Sequence, residues 1–398
     1  MLTIINGKII TVSDRIYDRG YVRTDGKVIS EIGSMNDFKK EENETVIDAK
    51  GCPVYPGFVD PHNHLGLFGD SLGFEGEDGN EATDPVTASL RAIDGINNKD
   101  KCFEEAVAGG VTCVVTGPGS ANVIGGQFAA IKTAGRCVDE MILKAPCAMK
   151  IAFGENPKTV YNEKKQTPTT RMATAALLRE TLAKTTEYAA KLERYYEDPK
   201  EKEKPDKDMD LDAMLDVIKG KLPVKAHAHR ADDILTAIRI AEEFEIRLTI
   251  EHCTEGYTIK DILKEKGVTV IVGPIISERS KPELRNMTLK NAAILSESGV
   301  SVAIMTDHPV NPVQYLCLCA GLAVREGMPR EKAIEAITLN SARACGIDDR
   351  VGSLEVGKDA DIVILSGDIF DLMTKVKYTI IEGRLVYSAE DILQQQQP

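Results

Sequence analysis

The 398-residue sequence has no Cys-x-x-Cys pair and no excess of positive charge. It also has no apolar run of the roughly 18 to 20 residues that a membrane span needs. Each absence removes a class of function. Without paired spacing, the nine cysteines (52, 102, 113, 137, 147, 253, 317, 319 and 345) offer no disulfide framework. They read as reduced, buried small hydrophobes. A net charge of −13 repels polyanions, which argues against nucleic-acid or anionic-membrane partners but leaves small-molecule substrates open. The first residues, Met1-Leu2-Thr3-Ile4-Ile5-Asn6-Gly7-Lys8, lack the apolar core of a signal peptide and start as a strand, so a cytoplasmic location is expected.

Histidine is also scarce, and its placement is the most informative feature. The six histidines fall in four clusters (His62 and His64, His227 and His229, His252, His308), each at the end of an apolar, strand-like run. In Asp60-Pro61-His62-Asn63-His64 the i, i+2 spacing puts both imidazoles on the same side of an extended backbone. Two neutral ring nitrogens on one edge suit zinc or a similar borderline metal, which needs further ligands from elsewhere. Strand-like runs ending at His227, His252 and Asp307 offer them. One metal centre is therefore expected, with zinc first and Mn, Fe or Ni as alternatives.

With 42% hydrophobic residues the chain can bury a large core. Residues 1–55 and 346–398 read as short strands with turns such as Asp25-Gly26 and Glu382-Gly383, and are expected to pair into one small β-sandwich. Residues 56–345 alternate apolar strands with amphipathic helices, which predicts an α/β fold built on a (β/α)8 TIM barrel. Its strands are placed at 57–60, 112–116, 128–132, 148–153, 224–227, 247–250, 268–272 and 301–306, with helices over 102–109, 170–196 and 231–244. Chemistry in such a barrel sits at the C-terminal strand ends, where His62, His64, Lys150, His227, His252 and Asp307 all fall. The mixed-charge 197–208 insertion reads as a solvated loop and the Gln-rich 394–397 run as a polar tail.

Taken together, Val54-Tyr55-Pro56-Gly57-Phe58-Val59-Asp60-Pro61-His62-Asn63-His64, Ile250-Glu251-His252, Thr306-Asp307, Leu339-Asn340-Ser341-Ala342-Arg343-Ala344-Cys345-Gly346 and Gly352-Ser353-Leu354-Glu355-Val356-Gly357-Lys358-Asp359-Ala360-Asp361 resemble the metal-dependent amidohydrolase superfamily. The likeness is to its imidazolonepropionase-like and prolidase-like members. It implies one or two divalent metals: His62, His64 and Asp307 would hold the first, with Asp307 also the catalytic proton shuttle. His227 and His252 would hold the second or, with one metal, share the work of holding it and contacting water or substrate, which makes His252 a catalytic candidate. Lys150 resembles the lysine whose carbamate bridges two metals; a snorkelling lysine looks the same in sequence, and Glu155 is a competing carboxylate. His229 is left to substrate contact or a structural hydrogen bond, and His308 to a structural or substrate role.

What the resemblance implies is hydrolysis of an amide or cyclic amide C–N bond of a small molecule by metal-activated water. A prolidase-like metallo-dipeptidase is the alternative, and a non-catalytic scaffold a further one that the retained ligands oppose. A homo-oligomer is expected at the family level. Candidate substrate contacts are His229, Asn122 and Gln127 in or beside the glycine-rich 116–127 loop, Tyr161, and Arg279 as a carboxylate clamp, with Arg230 as another loop cation. The glycines of 116–127 would either admit backbone N–H groups to a ligand or make a tight loop. The acid- and glycine-rich 65–98 segment is a candidate lid.

Overall fold

The computed structural model describes residues 1–69 and 73–389; the 394–397 run and residues 70–72 of the candidate lid lie outside them. Two eight-stranded sheets organise the chain. The N-terminal part supplies β1 (Leu2–Ile10), β2 (Ile16–Asp25), β3 (Val28–Ser34), β4 (Thr45–Asp48) and β5 (Pro53–Pro56). The central part supplies β6 (Phe58–Asn63), β7 (Val111–Thr116), β8 (Ile124–Lys132), β9 (Ile142–Ala152), β10 (Val224–Ala228), β11 (Leu248–His252), β12 (Thr269–Val272) and β13 (Val302–Ile304), and the C-terminal part β14 (Ile362–Leu365), β15 (Val376–Ile381) and β16 (Arg384–Ser388).

The two ends of the chain do pair. β14 lies antiparallel to β5, so N- and C-terminal strands form one continuous sheet over a core that includes Ile4, Ile9, Val22, Ile362, Ile364 and Ile380. β1 runs unbroken over Leu2–Ile10 and bends at Asn6 (φ 55°) with a register shift between Ile4 and Gly7. The Glu382-Gly383 turn has both residues in the left-handed region, φ 48° and 71°, which matches the twist of a tight hairpin.

The central sheet runs in the order β13-β12-β11-β10-β9-β8-β7-β6 and forms a nearly closed barrel. Its strands β6, β7 and β10 are buried along their whole length, as expected for strands covered on both faces. Helices pack outside; Ala231–Glu243 turns Ile234, Ala237, Ile238 and Ala241 inward, and Arg171–Glu197 is capped by Thr170, whose side chain accepts from Ala173 N. One expected strand is corrected. Residues 128–132 belong to β8, which runs antiparallel to both β7 and β9. Parallel neighbours need a crossover of about a dozen residues or more, and the 117–123 loop is too short for one. The cysteines are all free thiols, mostly buried, but Cys137 is exposed.

Nothing in sequence proximity joins β6 to β13. Their seam is closed at the mouth by Asp307 N donating to His62 O (3.2 Å) and His64 N donating to His308 O (2.9 Å), while lower down Val59 N donates to Ile337 O (2.9 Å) at the end of the helix Arg330–Ala336. The Asp60 side chain staples the same seam: it accepts from Thr306 N (3.3 Å), the Thr306 hydroxyl, Asn63 Nδ2 (3.0 Å) and His62 N (3.4 Å).

Removing that acceptor leaves several buried donors unpaired. Asp60→Ala should cost about 2 to 4 kcal/mol and Thr306→Val about 1 to 2 kcal/mol in urea unfolding of the metal-free protein. Burial pushes the Asp60 carboxyl up from 3.8 to about 6. Between those values the folded state holds the extra proton, so this group's contribution to stability falls as pH rises through that window. Asp60→Asn should flatten that part of the profile, and wild-type stability in Asp60→Ala would refute the staple.

Candidate metal centre and active site

The site rests on a buried layer of charge. Lys225 on β10 and Lys150 on β9 are paired in register, and both side chains are buried. Their surroundings differ. Lys225 Nζ is 3.1 Å from Glu251 Oε2; burial opposes its charge, but Glu251 outweighs burial and its pKa is raised. Lys150 Nζ lies 3.1 Å from His62 Nε2. Burial dominates there, and the Lys150 pKa falls to about 8 despite Glu251 and Asp307. Phe128 from the reversed strand fills the space between, with its ring 5.1 Å from His62 and 5.5 Å from Lys150 Nζ.

Above this layer stand two groups, within each of which the ligand atoms lie within 4.8 Å of one another: His62, His64 and Asp307, and His227, His229 and His252. Glu251 and His252 are neighbours on one strand, where side chains ordinarily alternate faces. His252 has φ 68° and Cys253 φ 52°, and this left-handed kink lets both Glu251 and His252 turn into the barrel. Asp307, at φ 57°, re-aims its carboxylate in the same way. Asp and His are among the side chains that tolerate this conformation best.

Hydrogen-bond acceptors assign the ring tautomers. Carbonyl oxygens hold Nδ1 of His64 (Gly117 O, 2.7 Å) and of His252 (Gly273 O, 2.8 Å), so each Nδ1 donates and each Nε2 is turned away from these carbonyls. His62 Nδ1 is 2.7 Å from Glu251 Oε2, a close contact without hydrogen-bond alignment. Burial pushes the pKa values of His62, His227 and His229 well down and that of His252 to about 4, so all four are neutral at pH 7. Burial alone would raise Asp307, but His252, His64 and Lys150 outweigh it and hold the carboxyl below its ordinary value. His64 Nε2 faces the Asp307 carboxylate at 3.4 Å. Among the described residues the buried His227 Nδ1 has no hydrogen-bond partner. A divalent cation would satisfy that nitrogen and bind the imidazole and carboxylate donors around it, so the donor set fits a metal.

A cavity of about 350 Å³ opens over these groups, with Phe68, Asn80, Ser120, Asn156 and Lys281 on its walls. Several expected contacts lie elsewhere. Asn122 and Tyr161 do not line it: Tyr161 OH donates to Asn122 Oδ1 (2.6 Å), and Asn122 Nδ2 donates to Glu81 O (2.6 Å) and Thr87 Oγ1 (2.8 Å). The pair ties the 65–98 segment down. Gln127 faces the same segment, donating to Ala88 O (3.3 Å). Arg279 is exposed and donates to Met287 O (3.3 Å), so Lys281 is the loop cation that reaches the cavity. Arg230 is held by Asp232. Two of the glycine loop's N–H groups are also spent, Gly119 N on Gly79 O (2.7 Å) and Ala121 N on Asn80 Oδ1 (3.1 Å).

Of the remaining candidates, the Glu155 carboxylate accepts from Glu283 N (3.3 Å) while Glu155 N donates to the Glu283 carboxylate (2.9 Å), and Glu155 joins neither ligand group among the described residues. His308 Nδ1 accepts from Val313 N (3.3 Å), a structural role. His229 stacks on His252 at 4.4 Å, its Nδ1 2.7 Å from Thr254 Oγ1 and its Nε2 3.7 Å from Glu283 Oε1. Sequence reasoning missed Glu251, Lys225 and Asp60 as supports, because a charged residue inside a strand carries no mark of its partner.

The model of the amidohydrolase family matches residues 54–386. The amidohydrolase tasK of Hapsidospora irregularis is 28% identical over 82% of this chain and 36% of its own length. Imidazolonepropionase of Thermoplasma acidophilum is 33% identical over 33% of this chain and 33% of its own length. The chain thus spans about a third of the length of these curated relatives. Among solved structures, an amidohydrolase from Thermotoga maritima MSB8 superposes with a TM-score of 0.93 at 42% identity, covering 98% of this chain and 100% of that one.

If the two groups hold metal, His62→Ala with His64→Ala, and separately His227→Ala, should each lower the metal bound per folded chain, read by elemental analysis. His308→Ala should leave it unchanged. Full metal content in the His62/His64 double variant would overturn the assignment.

Proposed function

We propose, from the premise that this chain belongs to the amidohydrolase family, that it is a metal-dependent hydrolase cleaving an amide or cyclic amide C–N bond of a small molecule. The observation that carries this reading is the pair of neighbouring ligand groups at the barrel mouth with the buried Lys150 beside His62. His62, His64 and Asp307 would hold one ion, and His227 and His252 a second. His229 stands close enough to share the second, beyond the supporting role expected for it. Bound there, divalent ions supply an acidified water and a polarised carbonyl.

The chain's own groups supply proton transfer and orientation. Asp307 is ionised at neutral pH and can take a proton from water and deliver it to the leaving nitrogen. Its left-handed backbone and the seam bond from its N–H to His62 O fix where that carboxylate stands. Carboxylation of Lys150 by CO₂ requires the neutral amine. Burial brings the Lys150 pKa down to about 8, so the neutral amine is far more accessible near neutral pH than for an ordinary lysine. That favours a carbamate whose two oxygens could bridge both ligand groups.

The first test is a hydrolysis screen of the metal-loaded protein over N-acyl amino acids, cyclic amides and Xaa-Pro or Xaa-basic dipeptides; no turnover across the panel would refute the reading. On any substrate found, Asp307→Asn should keep much of the metal and lower kcat by about 10²- to 10⁴-fold. For Lys150, metal bound by the stripped protein should rise with bicarbonate and between pH 6.5 and 8.5. Lys150→Ala should lose about one equivalent together with that dependence. A bicarbonate response that persists in Lys150→Ala would remove the carbamate.

A further inference from the structure

Lys281 has no role in the chemistry above, yet it is the one cation that the loop after β12 brings to the cavity wall. Its ammonium donates to Asn156 Oδ1 at 2.7 Å, and the amide nitrogen of Asn156 lies 2.7 Å from Ser120 Oγ and 3.5 Å from His227 Nε2. One carboxamide therefore separates the ammonium from a ligand-group histidine. An ammonium has three N–H donors, and this bond uses one. Glu283, two residues on, is buried and turned toward Glu155 N (2.9 Å) and His229 (3.7 Å). Among the described residues that line the cavity, the charged side chains apart from histidine are Lys150, Lys281 and Asp307. Asp307 faces His64, so Lys281 meets the cavity without a lining carboxylate of its own. The same loop adds an apolar wall of Ile275, Leu284, Met287 and Leu289.

We propose that Lys281, held in place by Asn156, anchors a carboxylate of the substrate, and that the enzyme acts on N-acyl amino acids or dipeptides whose carboxyl-terminal residue is apolar. This rests on the hydrolase reading above. In such a molecule the carboxylate lies a few bonds beyond the scissile carbonyl carbon. It can reach Lys281 while the amide sits over the ligand groups and the side chain lies on the apolar wall. Water adds across the C–N bond, its oxygen to the acyl carbon and its hydrogen to the nitrogen, releasing a carboxylic acid and a free amino acid. Arg279, exposed and bonded to Met287 O, takes no part.

The test uses the metal-loaded full-length protein and two probes, N-(methylphosphonyl)-leucine and its carboxamide, with binding read by calorimetry. A charge-assisted contact at a partly buried site should favour the acid by about tenfold to a hundredfold. Lys281→Met and Lys281→Gln should erase that preference and Lys281→Arg keep part of it, with metal content and melting curves confirming that each variant folds. With N-acetyl-leucine as substrate, the Met and Gln variants should raise KM far more than they lower kcat. Equal binding of acid and amide by the wild type overturns the anchor even if no variant folds, as does a preference that survives in both Lys281→Met and Lys281→Gln. A clear preference for the acid with no hydrolysis of any amide would instead sink the hydrolase reading and leave the anchor standing.

Discussion

The seam between β6 and β13 is the constraint on which the rest depends. His62 and Asp307 are far apart along the chain, yet the backbone bond from Asp307 N to His62 O is what sets the carboxylate beside the two β6 imidazoles. The Asp60 carboxylate, gripped by both the hydroxyl and the N–H of Thr306, fastens the two strand ends one layer below. A buried carboxylate is costly unless its oxygens are satisfied. Here the donors that satisfy it belong to both sides of the seam, so the acid is tolerable when the barrel is shut. Closure and assembly of the His62, His64 and Asp307 group are one event.

Beneath the mouth the protein gives two lysines in the same layer opposite fates. Lys225 has a carboxylate partner in Glu251 and keeps its charge, whereas Lys150 meets an imidazole and its pKa drops. Glu251 also presses on His62 from below, and carbonyls from Gly117 and Gly273 hold the far nitrogens of His64 and His252. The result is a set of closely packed imidazoles gathered around Asp307. Without a cation that arrangement is electrostatically poor, and such strain is characteristic of a site shaped for something it binds.

Much of this was legible in the residues. The i, i+2 spacing of His62 and His64 needed only an extended backbone to share a side, and His252 and Asp307 were marked by ending apolar runs. Asn122, Tyr161, Gln127 and Arg279 lie off the cavity wall, and one reason covers them. A polar residue in or after a strand looks the same in sequence whether its hydrogen bonds go to a ligand or to another segment. In the fold the 65–98 segment takes up Asn122, Gln127 and the N–H groups of Gly119 and Ala121, and a carbonyl takes Arg279. The reversal of β8 was missed for a related reason: its composition suits a barrel strand of either direction, and only the length of the connecting loops distinguishes them.

The sequence by itself determined the kind of donors available, their position at strand ends and the alternation that builds a barrel, because these follow from backbone periodicity and residue chemistry within a few positions. Only the tertiary structure decided which cation meets the cavity, which lysine is raised and which lowered in pKa, and which histidines face one another. Those outcomes depend on partners contributed by distant segments: Glu251 for Lys225, Asn156 for Lys281, and Thr306 for Asp60. Electrostatic energies and hydrogen bonds are set by distance in space, and distance in space is what a linear chain does not record.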